Sequence, residues 1–391
     1  MLTVLRNGSV YAPRPLGRQS VLLTDGKIAR IGDVDVRAVE ALGVDSDIVD
    51  VDGCIVAPGL IDPHIHLLGG SGEAGFSTQS PEFFVSEIVS SGITTVVGTL
   101  GVDTTMKTLP GLLAKVKGLK EEGLHAFMWT GGYDVPPTSI MPSARDDIMF
   151  LDEVIGIGEI AISDKRASAP EMRELAKVVS DAYIGGMLSR KAGVSHFHVG
   201  DGGRRLQPIR ELLQDYYAEP SWLYLTHVER SEELMREAIA LASLGVAVDV
   251  DVVEGDLARW VKFYLDEGGD PLQLTASTDA SATSPRSLHE QLADCVLRHG
   301  MPLEHLLAFM TSNTARVLKL GDAGTLEKGR RGDVLVLARD TLEIVHVLCN
   351  GQFMVRDGRM VKHETFLDRS TRRIELHGRK RERQGEDEGD T

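Results

Sequence analysis

Between about residues 59 and 320 the chain alternates short apolar runs with segments of helical spacing, and no other feature limits its fold so tightly. The runs include GITTVVGTL, HAFMWTGGY, GEIAISD, VSHFHVGD, LYLTHVER, VAVDVDVV and LQLTASTDA. Among the intervening segments, APEMRELAKVVSDAYIGGML and SEELMREAIALASLG carry apolar residues at helical intervals, and the second ends at Gly245. Short, continuously apolar runs suit strands buried on both faces, and the longer periodic segments suit helices that cover them. Repeated over about 250 residues, this pattern predicts an α/β fold of the (β/α)8 TIM barrel type spanning 59–319. A doubly wound open sheet is the competing arrangement, but no GxGxxG or GxxxxGK[ST] supports it.

The flanks read differently. SVLLTDGKIARIGDV is a hairpin with Asp25-Gly26 as its turn, and DIVDVDGCIVAPG adds strand up to Pro58-Gly59. The same texture returns in GDVLVLARDTLEIVHVLCNGQFMVRDGRMVK, with turns at Asn350-Gly351 and Asp357-Gly358. Residues 1–58 and 320–365 are therefore expected to pair into one small β-sandwich domain, leaving 366–391 as a charged, solvated tail.

A formal net charge of −16 over 391 residues argues against nucleic-acid or anionic-membrane partners. It leaves room for small anionic substrates held by local arginines. Cys54, Cys295 and Cys349 form no CxxC and suggest inert thiols. The first residues lack a basic stretch followed by an apolar one, and no apolar run reaches the roughly 18 residues of a membrane span. A cytoplasmic protein is expected.

His64 and His66, His198, His227 and Asp279 each fall at or just past the end of an apolar run. In a barrel those strand ends converge on one face. His-x-His on a strand directs both imidazoles to the same side. Four imidazoles and a carboxylate at one mouth form a ligand set for zinc or a similar divalent ion. The other histidines, His196 among them, read as ordinary hydrogen-bonded residues.

These residues carry a resemblance. VAPGLIDPHIHL resembles the first-strand signature of the amidohydrolase superfamily, metal-dependent hydrolases with a (β/α)8 barrel and a flanking β-sandwich built from both chain ends. GGSGEAG, WTGGYDVP, VIGIGEIAISDKRASAP, HFHVGD and LTHVER narrow it toward the isoaspartyl (β-aspartyl) dipeptidases. The resemblance implies two divalent metal ions, zinc foremost: one held by His64, His66 and Asp279, the other by His198 and His227. It implies that the ions activate a water, with Asp279 as general base and then acid. Glu73 would bind the substrate's α-ammonium, Arg166 and Arg230 its carboxylates, and Tyr133 the carbonyl oxygen as it becomes tetrahedral. A small peptide substrate and a large homo-oligomer, an octamer for example, belong to the same implication.

The chain departs from that family in several places. The family's metal-bridging lysine, carboxylated by CO₂, is replaced by Glu159. Glutamate also offers two oxygens but has a shorter arm, so the strand must approach more closely or shift; Gly156 and Gly158 permit this. Lys165, six residues on, is the weaker candidate for the bridge. A family threonine is Val102, and a serine after the catalytic aspartate is Thr283, here taken as substrate-binding. The loop after Asp279 also looks short. Two other readings remain open. One is a cyclic amidase of hydantoinase or dihydroorotase type or an N-acyl amino-acid deacylase, and the other is a barrel scaffold without catalysis.

Overall fold

The computed structural model of the chain describes residues 2–371. The apolar runs become eight parallel strands: β1 (Leu60–Ile65), β2 (Ile93–Gly98), β3 (His125–Thr130), β4 (Val154–Ile162), β5 (Val194–Val199), β6 (Leu223–Thr226), β7 (Ala247–Asp251) and β8 (Leu274–Ser277). They are hydrogen-bonded in sequence order, and a parallel bridge between Ile65 and Ala280 draws the first and last together into a nearly closed barrel. Every residue of β1, β2, β4 and β5 is buried. Such strands have no polar face to offer water, which is why they read as unbroken apolar runs.

Helices cover the outside. Ser231 caps Glu232–Ala242, its side chain accepting from the Leu234 amide, and Gly245 lies beyond the helix end at φ 106°. That segment buries Leu234, Met235, Ala238, Leu241 and Ala242, the stripe its spacing predicts.

The chain ends form a separate nine-stranded sheet. Val334–Ala338 runs antiparallel to Cys54–Pro58, and this pairing joins the two ends. Asp25-Gly26, Asn350-Gly351 and Asp357-Gly358 all carry two successive positive φ angles. That is the two-residue turn matching the twist of a hairpin. Strand alternation then divides the side chains of the joining strands. Val56, Val334 and Val336 fill the sheet's own core, whereas Ile55, Ala57, Leu335 and Leu337 join the barrel's core. The expected charged tail begins with a helical turn, Thr365–Asp368, and from 372 onward lies outside the described residues. Among the described residues no helix is long and apolar enough to cross a membrane.

Candidate metal centre and active site

The strand ends bring the predicted cluster together. Glu159 is at its centre: His198 Nδ1 lies 2.6 Å from its Oε1, His227 Nε2 3.1 Å from the same oxygen, and His64 Nε2 3.2 Å from Oε2. Asp279 Oδ1 lies 3.0 Å from His66 Nε2 and 3.3 Å from His64 Nε2. The strand shift that Glu159 requires is present. Ser195 of β5 pairs with Ile157, but Phe197 pairs with Ile160, so β4 carries one extra residue around Gly158 and Glu159. Only glycine fits at 158, since a Cβ there would sit 2.7 Å from that of His196. Lys165 is exposed and outside the cavity wall, which removes it as a bridge.

His227 and Asp279 both adopt left-handed backbone, at φ 63° and 42°. A residue other than glycine is strained there, and such strain concentrates where a side chain must be aimed. The Asp279 amide donates to the His64 carbonyl, and the His66 amide to that of Ala280, so closure of the barrel itself sets the geometry of this half.

Three further residues went unrecognised in the sequence. Asp251 accepts from His227 Nδ1 at 2.7 Å, and Asp164 lies 3.0 Å from His198 Nε2. Each carboxylate turns the opposite ring nitrogen toward Glu159. His196, read as ordinary, is fully buried beneath the cluster, stacked on Trp129 at 5.1 Å and edge-on to His64 at 4.9 Å, with no hydrogen bond to either ring nitrogen. Burial, reinforced by His64, holds its pKa well below the usual histidine value, so it is neutral.

The cluster opens into a cavity of about 840 Å³ lined by Glu73, Val102, Tyr133, Arg166 and Arg230. Arg166 donates through Nη1 to both oxygens of Glu73 at 2.9 and 3.1 Å, and through Nε and Nη2 to Asp164. Arg230 donates through Nε to the Val199 carbonyl and ends 3.4 Å from His198 Nε2. The Tyr133 hydroxyl lies 2.8 Å from His198 Nδ1. Burial, with Glu159 adding to it, lifts the Tyr133 phenol well above its ordinary pKa, so it keeps a proton to donate. Thr283, expected to bind substrate, does not line the cavity, and Ser281 does. The left-handed turn at Asp279 and the Ile65–Ala280 bridge set which residue of that loop faces inward. The loop reaches the Arg286–Leu297 helix seven residues after Asp279.

The donors fit divalent ions. His64, His66 and Asp279 offer ligand atoms all within 4.8 Å of one another, as do His64, Glu159 and His227, and also His227, Asp251 and Asp279. The Glu159 side chain is 1% exposed, and its ion-pair partners among the described residues are His64, His198 and His227 alone. Burying such a carboxylate is costly unless cations face it. When protons are the only cations, the imidazoles must supply the charge. Burial depresses His64, but Glu159 and Asp279 lift it to about 9. Burial opposes charge on His227 too, and Asp251 and Glu159 hold its pKa well above normal. Against burial, His64 and His198 keep Glu159 far below the usual carboxylate range. Divalent ions would satisfy the same carboxylates without protons.

The pattern of the amidohydrolase family matches residues 226–354. A solved β-aspartyl dipeptidase from Fervidobacterium islandicum is 35% identical, covers 92% of this chain and 98% of its own, and superposes with a TM-score of 0.87. The same protein solved with a β-Asp-Leu dipeptide gives 34% identity and 0.86. At the sequence level a Lactobacillus gasseri dihydroorotase is 24% identical over 399 residues, covering 86% of this chain and 89% of the relative. An adenine deaminase of Rhizobium meliloti is 25% identical, and the match takes in only 60% of that longer protein.

Proposed function

Since the chain belongs to the amidohydrolase family and is a hydrolase of C–N bonds, we propose that it hydrolyses β-aspartyl (isoaspartyl) dipeptides, releasing aspartate and a second amino acid. The observation that carries this reading is the Glu73–Arg166 ion pair beside the metal-ligand cluster. A free β-aspartyl residue presents an α-ammonium and an α-carboxylate on one carbon. It exchanges partners with such a pair, ammonium onto Glu73 and carboxylate onto Arg166 Nη1. Arginine's planar fork suits the second contact. Arg230 receives the carboxylate of the leaving residue.

His64, His66 and Asp279 would hold one divalent ion and His198 and His227 another, with the Glu159 carboxylate in reach of both groups. When bound, the ions lower the pKa of a water and polarise the scissile carbonyl. Asp279 would act as the general base that takes the water's proton and then the acid that gives it to the leaving amine. Tyr133 donates to the carbonyl oxygen as negative charge builds on it. Zinc as the metal, a homo-oligomer and a cytoplasmic location belong to the same reading.

The dihydroorotase relatives favour a second reading, a cyclic amidase. Dihydroorotate has a carboxylate but no ammonium, so Glu73 would have no partner in it. Turnover of β-Asp-Leu, α-Asp-Leu and L-dihydroorotate by zinc-loaded protein separates the readings. Clear preference for β-Asp-Leu is expected. Turnover of dihydroorotate alone would transfer the assignment to the cyclic amidases, and turnover of none with zinc bound would leave the substrate assignment without support.

A further inference from the structure

Asp164 touches two parts of the site at once. Its Oδ2 lies 3.0 Å from His198 Nε2 and accepts from Arg166 Nη2 at 2.9 Å. Its Oδ1 accepts from Arg166 Nε at 3.0 Å and from the Arg166 amide at 2.7 Å. The carboxylate is 5% exposed. No other carboxylate among the described residues contacts both a candidate metal ligand and a candidate substrate-binding arginine through its side chain.

We infer that Asp164 is a positioning residue that couples occupancy of the His198–His227 metal position to the binding of the substrate's α-carboxylate. This rests on the reading of Arg166 given above. When His198 gives its Nδ1 lone pair to a metal, the one proton left on a neutral ring sits on Nε2, and Asp164 is the acceptor there. Such a partner orients the ring and raises its basicity. The same carboxylate pins two edges of Arg166 and leaves Nη1 facing Glu73, the direction from which the substrate's head group arrives. A change at Arg166 Nη1 is thus felt at His198 through the buried Asp164 carboxylate, beside the 3.1 Å approach of Arg166 Nη2 to the same His198 Nε2. Linkage then requires the reverse effect, with metal at His198 sharpening the grip on the carboxylate.

Asp164→Asn keeps the shape and removes the charge. Zinc is titrated into apo-protein against a chromophoric chelator, with and without L-aspartate, and L-aspartate binding to the zinc-loaded protein is measured by calorimetry. The His198–His227 position, whose ligands Asp164 and Asp251 brace, is expected to be the tighter of the two zinc steps; it should weaken about 10–100-fold, and the looser step should stay within about twofold. In the wild type L-aspartate should tighten the tighter step about fivefold or more, and in Asp164→Asn that enhancement should vanish. Equal weakening of both steps, or an unchanged tighter step, would overturn the inference. So would an aspartate enhancement that survives in the variant. The zinc steps need no turnover, so failure of the dipeptidase reading is seen separately, as absent β-Asp-Leu hydrolysis and absent aspartate binding in wild type. Should Asp164→Asn fail to fold, Asp164→Glu serves. It keeps the charge and displaces it by one methylene, and it must weaken the same step alone.

Discussion

His198 and His227 each face Glu159 with one ring nitrogen and a carboxylate with the other, Asp164 at 3.0 Å and Asp251 at 2.7 Å. His64 and His66 form the opposite half of the cluster on different terms. His64 Nδ1 is buried without a hydrogen bond, and the His66 ion pair is with Asp279, whose side chain is 22% exposed. One half is braced by buried carboxylates, and the other hangs on the closure of β1 against the turn after β8. Because partners of this kind fix tautomer and raise ligand basicity, the braced half should hold its ion more tightly. Such an arrangement would separate retention of metal from the chemistry proposed for Asp279, which sits in the other half.

Removing the group both halves share should have the largest effect. Glu159→Ala strips a carboxylate from three imidazoles, and breaking a buried ion pair costs about 3–5 kcal/mol. It should lower kcat/KM for β-Asp-Leu by about 10³-fold or more and leave at most one zinc per chain by elemental analysis. Full turnover with two ions would remove Glu159 from the bridge. Tyr133→Phe should reduce kcat by about 10²–10³-fold with little change in KM, because the hydroxyl acts on charge that builds in the transition state. Steady-state kinetics with KM raised and kcat intact would make it a ground-state contact.

Asp251→Asn sharpens the comparison between the halves. It should weaken the tighter zinc step by about 10–100-fold and spare the other, as read by chelator competition. The pH response follows from the raised imidazoles. A histidine whose pKa is higher folded than unfolded stabilises the fold below its unfolded value and loses that contribution as pH rises through the folded one. With His64 at about 9, the melting temperature of apo-protein should fall between about pH 6.5 and pH 9. Asp62, pushed up to about 7 by burial, acts in the same sense over the lower part of that range. Zinc should reverse the trend, since it competes with those protons. A flat melting profile for apo-protein would contradict the charge state assigned to His64.

The smallest effect is expected far from the site. Glu153 pairs with Lys120 at 2.7 Å and Lys117 at 3.1 Å just before β4. Burial raises its pKa, but these lysines prevail and hold it at about 2. Glu153→Gln should cost about 1–3 kcal/mol at neutral pH and leave kcat unchanged. The wild-type contribution should be lost as pH falls from the unfolded carboxylate value of about 4.3 through about 2. Denaturant midpoints at pH 7 and pH 3 measure this.

Much of the site was legible because period-two alternation and the barrel's convergent strand ends are properties of sequence order. The gathering of His64, His66, His198, His227 and Asp279 followed from that order, whereas their division between two ions and the roles of Glu73, Tyr133, Glu159, Arg166 and Arg230 rested on the family resemblance. Asp251 was visible in principle, since VAVDVDVV carries aspartates two apart in a run otherwise suited to burial, and both face inward. Asp164 lay within the quoted AISDKRASAP, but only the fold after β4 turns it back onto His198. Thr283 was carried over from the family's serine, and the loop after Asp279 brings Ser281 rather than Thr283 to the cavity wall. His196 looked ordinary because sequence shows neither its depth nor its missing partners.

The enzyme proposed is a two-ion hydrolase whose bridge is a plain glutamate. The most direct test is to add zinc stepwise to apo-protein in buffer freed of CO₂ and to follow β-Asp-Leu hydrolysis at each ratio. Activity should climb to a plateau at two ions per chain, with no gain on adding bicarbonate. A plateau at one ion, or a requirement for bicarbonate, would contradict it.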